Sequence, residues 1–120
     1  MYAGSKGVDN LIATIDYNGQ QIDGPVDEVN SLLDLGAKYE AFGWDVISLP
    51  EGNDLQAIID TMSEARKRTG QGKPVAVVME TVMGHGVDYM MHTHAWHGKA
   101  PNDEQLERGL AQNPETLGDY

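Results

Sequence analysis

Asn18 follows an apolar run, Leu11-Ile12-Ala13-Thr14-Ile15, that closes on Asp16-Tyr17, and it stands directly before Gly19. An asparagine amide oxygen is a hard, neutral donor suited to Mg²⁺ or Ca²⁺, and a neighbouring glycine lets the backbone approach closely. The same pair also reads as a plain Asn-Gly turn, and spacing alone leaves both readings open. A second group of reactive side chains falls between Gly84 and Pro101, where His85, His92, His94 and His97 share a stretch with Tyr89 and Trp96. Four histidines invite a zinc site, but their spacing fits no familiar zinc pattern and no cysteine assists. His92 and His94 alternate with Thr93 and Ala95, so an extended loop would point both to one side; a solvated loop is the plain alternative. Arg66, Lys67 and Arg68, with Lys73 nearby, form the one clear basic cluster, and their simplest role is to complement a helix C-terminus.

Those residues need elements to hold them. Leu11–Ile15, Trp44–Leu49 and Pro74–Val82 are short apolar runs bounded by turn residues, as strands covered on both faces should be. Between the first two, the pattern predicts a helix from about Val26 to Phe42, with Leu35, Tyr39 and Phe42 at i, i+4, i+7 and Gly43 as the stop. Between the last two, Leu55, Ile58, Ile59, Met62 and Ala65 mark one face of a stronger helix, with Asp60, Glu64 and Arg68 on the other. Asn53 or Asp54 serves as its N-cap. Phe42 and Trp44 are expected in the core, and Trp96 against a cofactor wall or a partner. A last short helix, Asp103 to about Gln112, carries Leu106 and Leu110. Strand–helix–strand–helix–strand implies a parallel sheet with right-handed crossovers. Ligands of such sheets collect outside the carboxyl ends of the strands, which here are Asp16–Gly19 and the Gly84–Pro101 loop.

The 120 residues suit one domain, and a net charge of -11 disfavours nucleic acid and anionic membrane as partners. A mean hydropathy of -0.44 and the absence of an apolar N-terminal core lead to the expectation of a cytoplasmic protein without a membrane span.

Asp9 to Pro25, read as a block, resembles the second half of the thiamine diphosphate motif of transketolases, which opens with Gly-Asp-Gly and ends with Asn. Ala41-Phe42-Gly43-Trp44-Asp45-Val46, Lys73–Thr81, and above all Thr81–Val87 with Ala95-Trp96-His97-Gly98-Lys99-Ala100-Pro101 resemble later family segments in the right order. The resemblance implies that Asn18 binds the metal through its side chain and Gln20 through its carbonyl. It implies that Ile22 packs near the cofactor and that His97 lies beside the diphosphate and the substrate. A His97 imidazole there could donate to a phosphate oxygen or a developing alkoxide. Three departures accompany it: Gly-Asp-Gly is absent, His85 replaces the usual basic residue between two glycines, and Asn53 stands where many relatives have histidine. Met1-Tyr2-Ala3-Gly4 reads as the end of a crossover helix, so a chain cut to the C-terminal half of its domain is expected.

The fold expected is therefore α/β, a partial parallel sheet with flanking helices forming the latter part of a thiamine diphosphate-binding fold. It fills residues 1–120, with 102–120 as a short helix and polar tail. The implied function is that of a fragment or split subunit of a transketolase, moving a two-carbon ketol unit between sugar phosphates with thiamine diphosphate and Mg²⁺ (or Ca²⁺). Alone it is expected to be inactive, because the glutamate that activates the cofactor's pyrimidine belongs to a second subunit or domain in a homo- or hetero-oligomer. The alternatives are a related thiamine-dependent sugar-phosphate synthase, and a non-catalytic assembly fragment whose open sheet edge seeks a partner. Roles for His85, His92 and His94 stay open.

Overall fold

The structure, a computed structural model, describes residues 1–114; the end of the polar tail lies outside the described residues. A short helix α1 (Tyr2–Ser5) leads into strand β1 (Ile12–Tyr17), followed by a small hairpin of β2 (Gln20–Gln21) and β3 (Gly24–Pro25). Helices α2 (Val26–Asn30) and α3 (Leu35–Ala41) precede β4 (Asp45–Leu49); α4 (Leu55–Arg68) connects to β5 (Val75–Glu80). A 3-10 turn at His94–Trp96 and helix α5 (Asp103–Gln112) follow.

The main sheet has the order β1-β5-β4, with both pairings parallel. In register, Ile12, Val75 and Asp45 lie side by side, so Val75, Val77 and Met79 share a face with Ile47 and Leu49. Helix α4 covers that face: Ala65, fully buried, packs with Leu49, Val75 and Val77, and Ala57, Ile58 and Met62 pack around them. The opposite face belongs to α3, where a methyl group on Gly36 would lie 3.6 Å from Val46. Crossovers of one hand put successive helices on opposite faces when the stepping direction reverses, as it does here at β4. β5 is the centre of the molecule, with Val75 to Val78 all buried.

Several expectations need correction. The helix expected over Val26–Phe42 is two helices, because Leu33 turns left-handed (φ 50°) and Asp34 starts afresh by accepting from Ala37 N at 2.8 Å. Leu33 itself is 75% exposed, so it contributes nothing to a buried helical face there, while Leu32 and Leu35 are half-buried. On α4, Leu55 (70% exposed) and Ile59 (49%) lie outside the packed stripe. Phe42 is also exposed, while Trp44 is half-buried with an edge-on contact to Tyr39 at 5.3 Å. Of the two N-cap candidates the sequence offered, Asp54 is the one that caps α4, accepting from Ala57 N at 2.7 Å. β5 stops at Glu80, two residues before the expected end.

The molecule is open and flat. Its accessible surface is 8255 Å², against about 6,400 Å² for a compact monomer of this mass. Its radius of gyration is 17.5 Å, where about 14 Å is usual for this length. No helix among the described residues is long and apolar enough to cross a membrane.

Candidate functional site

The carboxyl ends of β1, β4 and β5 gather the polar loops. At the end of β1, the half-buried Asn18 accepts from Gln20 N through Oδ1 at 2.9 Å and donates through Nδ2 to Asp16 Oδ2 at 3.3 Å. Thr81 Oγ1 donates to the other Asp16 oxygen, tying the end of β1 to the residue after β5. Asn18 is thus held from two sides, with one lone pair of its amide oxygen still uncommitted. Gly19 has φ 70° and its carbonyl accepts from Val26 N at 2.9 Å. That bond fixes the alternation of the hairpin ladder: Gln20, opposite Pro25, is a non-hydrogen-bonded pair, so its carbonyl turns away from β3 toward the edge that carries Asn18. The two oxygens that the sequence singled out therefore share one edge. Ile22 sits at the hairpin tip, 64% exposed.

At the ends of β4 and β5, Pro50–Asp54, Glu80, Val82 and His85 line an open cleft of about 460 Å³. Its floor depends on a close approach. Gly52 N donates to Glu80 O at 2.8 Å, and a Cβ on Gly52 would meet that carbonyl at 2.5 Å. Asn53 Oδ1 accepts from Val82 N at 2.7 Å, which fixes the start of the histidine loop. Asn53 is a loop tether here.

The loop then folds on itself. Gly84 has φ 72° and lies against Met90, where a Cβ would come within 2.6 Å. His85 is exposed on the cleft wall, and His92 takes a left-handed conformation (φ 57°). Thr93 caps the 3-10 turn by accepting from Ala95 N at 3.2 Å, and His97 closes it, its N–H donating to His94 O at 3.0 Å. The His97 side chain is exposed. Trp96 packs on Tyr89 with centroids 5.1 Å apart and lies under Lys99 Nζ at 4.8 Å. Among the described residues no group of three or more His, Asp or Glu is arranged to hold a metal ion.

Helix α5 grips the loop from outside. Arg108 Nη2 and Gln112 Nε2 both donate to Asp88, at 2.5 and 2.9 Å, and Asp88 N donates to Gln112 Oε1 at 2.8 Å. The Gln112 amide, and next the Arg108 guanidinium, hold the Asp88 carboxyl below the usual aspartate range. Sequence reasoning missed Asp16, Thr81, Asp88, Arg108 and Gln112. Only Asp16 carried a usable signal, as a carboxylate two positions before Asn18 and so on the same side of an extended chain.

A parallel sheet covered by helices on both faces, with its polar loops at the carboxyl strand ends, defines an α/β domain of the ligand-binding kind. The profile of the family described as transketolase, thiamine diphosphate binding domain, matches residues 1–115, and the chain belongs to that family. It is 35% identical over 112 residues to the 6-deoxy-6-sulfo-D-fructose transketolase subunit SqwG of Clostridium sp. (strain MSTE9), covering 93% of this chain and 40% of that protein. It is 36% identical over 110 residues to a subunit of the apulose-4-phosphate transketolase of Phocaeicola vulgatus, covering 92% and 38%. The transketolase of Pichia stipitis in complex with sedoheptulose-7-phosphate superposes with a TM-score of 0.82 at 31% identity, over 92% of this chain and 16% of that one. The Campylobacter jejuni transketolase gives 0.81 at 27% identity, over 92% and 17%. The chain thus spans about two fifths of the length of these subunit relatives.

Proposed function

We propose that this chain is the diphosphate-side part of a transketolase, acting with thiamine diphosphate and Mg²⁺ (or Ca²⁺) to move a two-carbon ketol unit between sugar phosphates. The observation that carries the reading is the shared edge of Asn18 and Gln20, tied by Asp16 and Thr81 to the start of the histidine loop. As donors, an amide oxygen and a main-chain carbonyl fit a hard divalent cation. They would supply two of the roughly six oxygens such an ion needs, so the diphosphate, water and a further carboxylate would complete the set. When bound, thiamine diphosphate supplies the electron sink for the carbon–carbon chemistry.

The chain's own residues bind and orient. Asn18 and Gln20 would hold the metal and, through it, the diphosphate. Ile22, exposed at the hairpin tip, offers an apolar contact whose burial is worth about 1–2 kcal/mol. His97, exposed after its turn, donates a proton-bearing nitrogen to a phosphate or sugar oxygen, the kind of group that stabilises a developing oxyanion. The partner is a second subunit or domain bearing the pyrimidine side, and the relatives named as transketolase subunits support a split arrangement. The excess exposed surface supports the same view, because a body this open has faces to cover. A cytoplasmic location, where sugar phosphates reside, goes with this reading.

The test is a ketol-transfer assay with the assembled subunits. Asn18→Ala should raise the Mg²⁺ concentration needed for activity by at least about tenfold. His97→Ala should lower kcat by about a hundredfold. Titrated alone with thiamine diphosphate and Mg²⁺, the chain should show no low-micromolar binding. Full activity of both variants in the assembled enzyme would refute the assignment.

A further inference from the structure

Helix α5 is attached in an unusual way. Its two leucines, Leu106 and Leu110, are 48% and 63% exposed, so apolar burial does not hold it down. The face formed by Gln105, Arg108, Gly109 and Gln112 meets the loop instead, through polar groups. Arg108 and Gln112 bind Asp88, and Asn113 Nδ2 donates to Gly86 O at 3.0 Å. Tyr89 OH donates to Gln105 O at 2.6 Å, with the Arg108 guanidinium 5.6 Å from the Tyr89 ring. Two glycines make room. A Cβ on Gly86 would meet Asn113 Oδ1 at 2.8 Å, and one on Gly109 would meet Tyr89 OH at 3.1 Å. The helix begins on a capping box, in which Asn102 Oδ1 accepts from Gln105 N at 2.9 Å and Gln105 Oε1 accepts from Asn102 N at 3.0 Å, so its start is fixed independently of the loop.

We propose that α5 is a clasp that positions the histidine loop, with Asp88, Arg108 and Gln112 as positioning residues for His85 and His97. The path to His85 is short: it lies between Gly84 and Gly86, where Gly86 is held by Asn113, the C-cap of α5, and Asp88 by α5 itself. The path to His97 runs from Tyr89, fixed by the Gln105 carbonyl, through its ring contact to Trp96, the residue before His97. One exposed helix therefore sets the orientation of two imidazoles on different turns. None of these three residues touches the edge formed by Asn18 and Gln20, so their effect on chemistry is through the loop alone.

The function given to the two histidines rests on the thiamine diphosphate reading, whereas the mechanical link does not. The test accordingly uses the full chain without cofactor. Amide hydrogen exchange of Asp88–Met91 and the imidazole NMR resonances of His85 and His97 are compared in wild type, Arg108→Ala, Arg108→Lys and Gln112→Ala, with Val75–Val78 amides as the control. Arg108→Ala should speed exchange in the loop by about tenfold, the effect of one lost charge-assisted bond, and Gln112→Ala by at least as much, because it removes two bonds to Asp88. Both histidine resonances should move, Arg108→Lys should restore much of each change, and the β5 amides should stay as in wild type. Unchanged loop exchange and histidine resonances would overturn the proposal. So would equal acceleration in β5, which would mean that α5 merely adds to overall stability.

Discussion

Gly52→Ala isolates the contact that builds the floor of the cleft. Gly52 is buried, and its added methyl would stand 2.5 Å from Glu80 O, 2.8 Å from Thr81 Cγ2 and 3.0 Å from Glu80 C. Two of those three atoms are backbone at the end of the central strand, so they have little freedom to yield. The loop has two responses. If it stays, the collision is absorbed as overpacking, at about 1–3 kcal/mol. If it withdraws, it loses the Gly52 N–Glu80 O bond and strains the Asn53–Val82 bond, at about 1 kcal/mol each or more where a buried N–H is stranded. The two routes together centre on a loss of about 2 kcal/mol, with about 3 kcal/mol as the upper end. In urea, with a slope of about 1.5 kcal/mol/M for a chain of this size, the midpoint should fall by roughly 1.3–2 M. Gly70→Ala is the matched control: Gly70 has φ 78° but nothing within 4 Å of the added methyl, so only backbone strain of about 1–2 kcal/mol applies. A Gly52→Ala midpoint within 0.3 M or so of wild type, or a loss smaller than that of Gly70→Ala, would refute the account of the cleft floor.

Gly36→Ala should act in the opposite direction. The new methyl makes ordinary contacts, 3.4 Å to Asp34 Oδ1 and 3.6 Å to Val46 Cγ1, and alanine favours α3 by about 0.5–1 kcal/mol, which a rise in the urea midpoint would register. The α5 clasp should also show a one-sided pH response. Asp88 has a depressed folded pKa, held down first by Gln112 and then by Arg108, so its contribution is present above the ordinary aspartate value of 3.8 and fades as pH falls through the lower folded value. Loop-amide protection factors should be level from about pH 8 to 5 and fall only below that ordinary value; a loss centred near pH 6 would point to a histidine instead.

How much of this was legible in the sequence depended on how far apart the interacting residues lie. The strands were readable because continuous apolar, valine-rich runs such as Val75–Val78 meet helices on both faces and leave no polar position to blur them. Helix α5 was readable from Asp103 to Gln112 because its ends are marked locally. The break at 31–34 was hidden because Leu32, Leu33 and Leu35 continue an apolar pattern, while the interruption comes from one left-handed residue and a fresh cap at Asp34. At the site, Asn18 stood out because a strand end and a glycine flank it. Its supports did not: Thr81 reaches Asp16 across 65 residues and Val82 reaches Asn53 across 29. Such pairings are set by strand order, and a helical or alternating pattern carries no information about them.

The placement of β5 at the centre of the sheet has a consequence for the order of events during synthesis. β1 and β4 emerge from the ribosome first, yet neither touches the other; each pairs only with β5, the last strand of the three. Among the described strands, pairing therefore cannot start until residues 75–80 are free, and until then β1 and β4 lack this shared partner, the condition that invites aggregation. When β5 arrives, closing onto β4 spans about 30 residues and closing onto β1 about 60, and each doubling of a loop costs about 0.6 kcal/mol in entropy. The β4–α4–β5 unit should thus assemble first and β1 dock onto it. Asp16 and Thr81 would come together in the last step, so that the tie between the end of β1 and the start of the histidine loop exists only once all three strands are in place.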